Sequence, residues 1–122
     1  MSIDPVRRYQ IKDEVSTVKC APLSPAIGNN QAVITAVSGK CIRVMGWDMQ
    51  SQTATQASVV FKSASGGTLL TTAILLPPST ALPFSKPIAD SGWFQTNSGE
   101  GLYVDVVAAS AWINVYYVTL TP

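Results

Sequence analysis

Few residues in this chain of 122 could do chemistry, and their spacing does not bring them together. There is no histidine, the side chain that most often moves protons near neutral pH. Cys20 and Cys41 without a histidine do not make a zinc site. They are also too few for a disulfide framework, so the expectation is two buried free thiols, unbridged in a reducing compartment. Asp48, Asp90 and Asp105 are scattered, with no spacing that would gather oxygens around a cation. Glu100 stands alone in the body of the chain, and the many serines have no base beside them. Gly66-Gly67 reads as a hairpin turn, because no helix pattern follows to complete a phosphate loop. Arg7-Arg8 is the only adjacent basic pair, and a net charge of +1 leaves no nucleic-acid footprint. The expectation is a protein without catalysis, cofactor, metal or nucleic-acid contact.

Composition points to association instead. Charged residues make up 12% of the chain, against roughly 25% in an average soluble protein. A near-neutral, charge-poor surface does little to keep copies apart. The charge is also unevenly placed: seven of the fifteen charged residues lie between Asp4 and Lys19, and none lies between Ser63 and Ser85. That uncharged tract is not a transmembrane helix, since Gly66-Gly67, Pro77-Pro78 and many Ser and Thr residues interrupt it. The N-terminus is polar and charged without an apolar stretch behind it, so no export signal is expected and synthesis is placed in a cytoplasm.

The elements that must carry these residues are strands. Short apolar runs recur between Gly, Pro, Ser and Asn turns, with no 3.6-residue periodicity, which predicts an all-β fold. Residues 1–14 read as an extended N-terminal arm, and residues 15–122 as one antiparallel β-sandwich of eight to nine short strands, jelly-roll-like. Strands are expected at Val15–Ala21, Gln31–Val37, Cys41–Gln50, Ala57–Ser63, Thr68–Leu76, Thr80–Phe84, around Trp93-Phe94, over Gly101–Ala108 and over Ala111–Leu120. In Cys41–Gln50 the apolar phase changes: Ile42 and Val44 share one face, and Met45, Trp47 and Met49 the other. Gly46 sits at the change and predicts a bulge or bend where the strand passes from one sheet to the other. Gly92 lets the chain turn so that Trp93 can enter the core beside Phe94. Glu100, in the Gly99-Glu100-Gly101 corner before Leu102, is expected to accept backbone N–H bonds and fix a hairpin.

The last strand is apolar on both faces, with Trp112, Tyr116 and Val118 opposing Ile113, Val115 and Tyr117. A strand of this kind needs two covers, its own core and something else. Trp112, Asn114, Tyr116 and Val118 are therefore expected at a subunit interface. In the arm, Val6, Tyr9 and Ile11 are expected as plugs on a neighbour, with Arg7, Arg8 and Lys12 as its ion-pair partners.

Four blocks of the sequence resemble those of small tailed-phage virion proteins. They are Gly39-Lys40-Cys41-Ile42-Arg43-Val44-Met45-Gly46, Val59-Val60-Phe61-Lys62-Ser63, Leu82-Pro83-Phe84, and Gly92-Trp93-Phe94-Gln95-Thr96 followed by Gly99-Glu100-Gly101-Leu102. The likeness covers about residues 15–120. Gln95 stands where an acidic residue is common there, and Cys41 where a basic one is. The resemblance implies a β-sandwich of the capsid decoration or cement type, a class whose domains also occur in tail and fibre components. Its implied partners are further copies of itself, a trimer before a dimer, and the major capsid protein, on the outer surface of the head after assembly in the host cytoplasm. The alternative is a tail or fibre head that recognises host glycan, with Trp47 or Trp112 as an exposed platform for a sugar ring. No membrane partner is implied.

Overall fold

The structure, a computed structural model, describes residues 8–11, 14–89 and 91–121. Among these the regular elements are all strands: β1 (Arg8–Ile11), β2 (Glu14–Thr17), β3 (Lys19–Leu23), β4 (Gly28–Ile34), β5 (Cys41–Ser51), β6 (Ala57–Ser63), β7 (Thr68–Leu69), β8 (Ile74–Leu76), β9 (Phe84–Lys86), β10 (Phe94–Gln95), β11 (Leu102–Val107) and β12 (Ala111–Leu120). β1 and β2 pair with each other, Tyr9 opposite Ser16. Residues 8–11 are thus one strand of a two-stranded antiparallel sheet. Val6, Arg7 and Lys12 lie outside the described residues.

The other ten strands form two antiparallel sheets. One runs β10-β5-β12-β3, with β9 sharing the β5 edge; the other runs β4-β11-β6-β7, with β8 sharing the β6 edge. Alternation builds the space between them. Ala57, Val59, Phe61 and Ser63 of β6 are buried, as are Leu102, Val104 and Val106 of β11 and Ala111, Ile113 and Val115 of β12. Each large side chain sealed in this way contributes about 1.5–3 kcal/mol.

β5 makes the bulge expected from its sequence, but it does not change sheet. It pairs with β12 from Cys41 to Ser51, and the register skips Met45 between Gly46 opposite Tyr116 and Val44 opposite Tyr117. The extra residue reverses the side-chain phase, and the reversal cancels the one written in the sequence. Ile42, Val44, Trp47 and Met49 consequently all face the same core.

Met45 is left on the opposite face, where it joins Cys41, Val118 and Leu120 in a second buried cluster covered by Val18 and Ile88. Val118 is fully buried there, so it has no surface to offer another subunit. The second cover expected from a neighbour is supplied, at this end of β12, by the chain itself. Trp112, Asn114 and Tyr116, nearer the start of the strand, are half-buried.

Two expected strands are broken. The run Thr68–Leu76 divides into β7 and β8, because the Leu70 N–H reaches the Phe61 carbonyl at 2.8 Å and the Phe61 N–H turns to Thr71 Oγ1 at 3.2 Å. A side chain has taken an acceptor position that a backbone carbonyl would fill in a continuous ladder. The strand expected at Thr80–Phe84 instead begins at Phe84 and pairs with β5, Phe84 opposite Met49. Cys20 also departs from expectation: it is exposed, whereas Cys41 is buried, and neither is in a disulfide.

Candidate functional site

Of the three aspartates the sequence singles out, Asp48 and Asp105 are engaged by neighbouring groups, and Asp90 lies outside the described residues. Asp105 sits 2.8 Å from Lys62 Nζ and accepts the Asn30 N–H at 2.8 Å. Burial pushes its carboxyl up, but the Lys62 and Asn30 bonds outweigh this and leave it below its ordinary range. Asn30, at φ 56°, also accepts the Gly66 N–H at 2.7 Å, so this polar group ties β4, β6 and β11 together. Asp48 accepts the Tyr116 hydroxyl proton at 2.8 Å. That bond, helped by burial, pushes the phenol up to about 12. Among the described residues, no three His, Cys, Asp or Glu side chains gather as a metal site would require.

Glu100 is held by side chains where backbone donors were expected. Its Oε1 accepts from Ser63 Oγ at 2.7 Å and from Asn97 Nδ2 at 2.9 Å. These bonds lower its pKa, Ser63 contributing most. Ser63 Oγ in turn accepts the Asn97 N–H at 2.8 Å, and the Ala64 N–H reaches the Gly101 carbonyl at 2.9 Å. The corner at Gly99, φ +76°, is thereby locked onto the end of β6, with Leu102 fully buried beside it.

Three of the four sequence blocks meet along β5, on the side where β9 and β10 pair with it, and Phe61 of the fourth packs on Phe94 from the facing sheet. Phe94 lies opposite Val44 and Gln95 opposite Arg43. Arg43 donates two bonds to Gln95 Oε1, at 2.8 Å from Nε and 2.6 Å from Nη2. Thr96 accepts the Ile42 N–H on its hydroxyl and donates its own N–H to the Ile42 carbonyl, both at 2.9 Å. Between β9 and β10 the chain leaves the sheet and crosses directly over Gly46, where a Cβ would lie 2.8 Å from the Lys86 carbonyl oxygen. It is caught again by Ala89 N–H on the Met45 carbonyl at 3.0 Å and by Trp93 N–H on the Val44 carbonyl at 2.8 Å.

This excursion decides where the aromatic rings go. Trp93 does not enter the core: it is 43% exposed, and its indole N–H is spent on the Pro87 carbonyl at 3.0 Å. Phe94 is the ring turned inward, tilted against Phe61 at 5.4 Å. Trp47, expected as an exposed platform in the glycan alternative, is only 5% exposed. It lies at the hub of the cluster, 6.0 Å from Phe84, 6.2 Å from Trp93 and 5.9 Å from Phe94 between ring centroids. Its buried Nε1 has no hydrogen-bond partner. The Lys86 ammonium stands 4.9 Å above the Trp93 ring and 5.9 Å above that of Phe84.

These rings form one side of an open groove of about 520 Å³. Residues 70–75, where β7 breaks before β8 begins, form the other side. The groove therefore lies where the edges of both sheets come together. It was not legible as a site in the sequence, because its walls are two irregular segments on different sheets. The exposed apolar side chains concentrate nearby. Of Ile27, Val37, Leu69, Leu75, Leu82, Trp93 and Val107, four fall within the stretch from β7 to β10.

No protein-family model matches the sequence, and a search of curated proteins finds no match.

Proposed function

We propose that the protein is a non-enzymatic virion component, a capsid cement or decoration protein that binds the outside of a phage head across adjacent major capsid proteins. The observation that carries this reading is the stretch from β7 to β10, which has no charged residue before Lys86 and exposes Leu69, Leu75, Leu82 and Trp93. Several exposed apolar side chains in a charge-poor stretch favour burial against another protein. We read the body as a jelly roll: if β7 with β8 and β9 with β10 are each one interrupted strand, eight strands divide between two four-stranded sheets.

A bridging subunit stabilises a shell by adding buried area that exists only when its neighbours are in place. Many weak copies, each touching several capsid proteins, do this effectively. A homotrimer, with a dimer as the second choice, would match the local symmetry of such sites. Tyr9, Ile11 and the basic residues of the N-terminal segment are proposed as capsid-contacting, and Trp112, Asn114 and Tyr116 as a contact between copies.

The test is the copy number in purified particles, expected to be on the order of hundreds as repeated symmetric sites require. Replacing Leu69 and Leu82 together by Ser should leave the fold intact and lower affinity for empty expanded heads at least about tenfold, since each buried leucine contributes about 1.5–3 kcal/mol. Absence from the particle, or a few copies confined to the tail, would sink the reading.

A further inference from the structure

We infer that the groove beside Trp47 is a peptide site that takes an extended, proline-containing segment of another polypeptide, neutral or acidic in charge. Trp93 is the platform on which a proline ring stacks, and the Trp47 indole N–H is the donor to a backbone carbonyl of that segment. The inference rests on reading the β7–β10 side as the one that meets partners, and it names the chemistry of the partner.

Several polar groups in the groove are already satisfied. Thr71 Oγ1 accepts the Phe61 N–H, which leaves its hydroxyl proton to donate, and the Trp93 indole N–H is spent on the Pro87 carbonyl. Among the lining side chains, apart from the Thr72 hydroxyl, what remains is donors: the Thr71 hydroxyl proton, the Trp47 Nε1, buried and without an acceptor, and the Lys86 ammonium. Among the described lining residues there is no carboxylate and no carboxamide. A buried donor without an acceptor is unfavourable, and a ligand that brings a carbonyl to it removes that penalty.

The complement of such a site is an apolar chain that offers acceptors and few donors. A sugar is a weaker complement, because its hydroxyls donate as well as accept and the lining side chains offer few acceptors to receive them. An extended segment with prolines fits better. Proline has no backbone N–H, its carbonyls point outward in the polyproline II conformation, and its ring packs flat on an indole. Aromatic-lined grooves recognise such segments for these reasons. The volume of about 520 Å³ lies within the usual span for ligand sites, about 300–1,000 Å³. Lys86 is the one charged residue among the described lining residues, which favours neutral or acidic segments over basic ones.

The experiment presents the full-length, 15N-labelled protein with capped synthetic decapeptides. One set carries Pro-x-x-Pro between leucines and alanines with zero or one aspartate; a matched set has alanine for proline. The chain has three tryptophans, so its three indole N–H signals can be assigned and followed one by one. Proline peptides should shift the Trp47 indole signal downfield and leave that of Trp112 in place. Trp93→Ala, at an exposed ring, should weaken binding about tenfold, as loss of an aromatic anchor does. Leu75→Ser is a second surface variant expected to act in the same direction, and the Trp112 signal reports that either variant is folded.

The inference is overturned if no proline peptide moves the Trp47 signal at millimolar concentration. Equal binding by the alanine set, or binding indifferent to Trp93→Ala and Leu75→Ser, has the same consequence. So does a Trp47 shift produced by a panel of neutral and acidic oligosaccharides but by no peptide. If peptides fail while the wild-type protein binds heads and the Leu69/Leu82 variant does not, the shell-binding reading survives without this inference.

Discussion

Three glycines allow the conformational and steric demands of the fold to be separated by alanine substitution. Gly39 has φ +71° with nothing within 4 Å of where a Cβ would stand, so only backbone conformation opposes a side chain there. Left-handed geometry costs about 1–2 kcal/mol for an L-residue, offset by about 0.4–1 kcal/mol through the stiffer unfolded chain. Gly39→Ala should therefore destabilise by about 1 kcal/mol. Gly46 carries no left-handed strain, but its Cβ would lie 2.8 Å from the Lys86 oxygen and 3.1 Å from both Ile88 N and Pro87 C. Those atoms are backbone and cannot rotate away, so Gly46→Ala should cost about 1–2 kcal/mol after the same offset. Gly92 combines both: φ is +74°, and a Cβ would sit 2.6 Å from Arg43 Cγ and 3.1 Å from the Val44 oxygen. About 2–4 kcal/mol is expected for Gly92→Ala. Urea unfolding should show midpoints falling in the order Gly39, Gly46, Gly92, with the slope unchanged. Because Lys86 and Trp93 line the groove, the Gly46 and Gly92 variants should also shift Trp93 fluorescence, and Gly39→Ala should not. Equal losses at Gly39 and Gly92, or a neutral Gly46→Ala, would refute the assignment of strain and contact.

Three further outcomes are expected. Glu100 has its folded-state pKa depressed, Ser63 first and Asn97 second among the causes, so the stability it adds is present above its unfolded value and disappears as pH falls through the folded one. Melting temperature against pH should accordingly lose part of its acid limb in Glu100→Gln. Tyr116 is the opposite case: its phenol is pushed up to about 12, so its contribution is complete below the unfolded value and fades as pH rises toward 12. Absorbance titration should show its ionisation as a late alkaline step that vanishes in Tyr116→Phe. Finally, one thiol should react with Ellman's reagent in the native protein and two after unfolding, since Cys20 is exposed and Cys41 is buried; two native reactive thiols would contradict the packing around Met45 and Val118.

The sequence alone determined the all-β class and the inward residues of β6, β11 and β12, because alternation with a period of two follows from strand geometry wherever a strand runs unbroken. It also marked Gly46 as a bulge and Gly92 as a turn, since local backbone demands are written in local residue types. What it could not show was the effect of pairing. Only the register of β5 on β12 shows that the bulge restores Trp47 and Met49 to the core of Ile42 and Val44. Only the packing of Val18 and Ile88 shows that the greasy outer end of β12 is covered from within the chain. That Trp93 stays outside while Phe94 turns inward was equally hidden, as was the groove beside them. Both depend on where residues distant in sequence cross Gly46 and where Thr71 interrupts a ladder, and such contacts leave no periodic trace in the residues that make them.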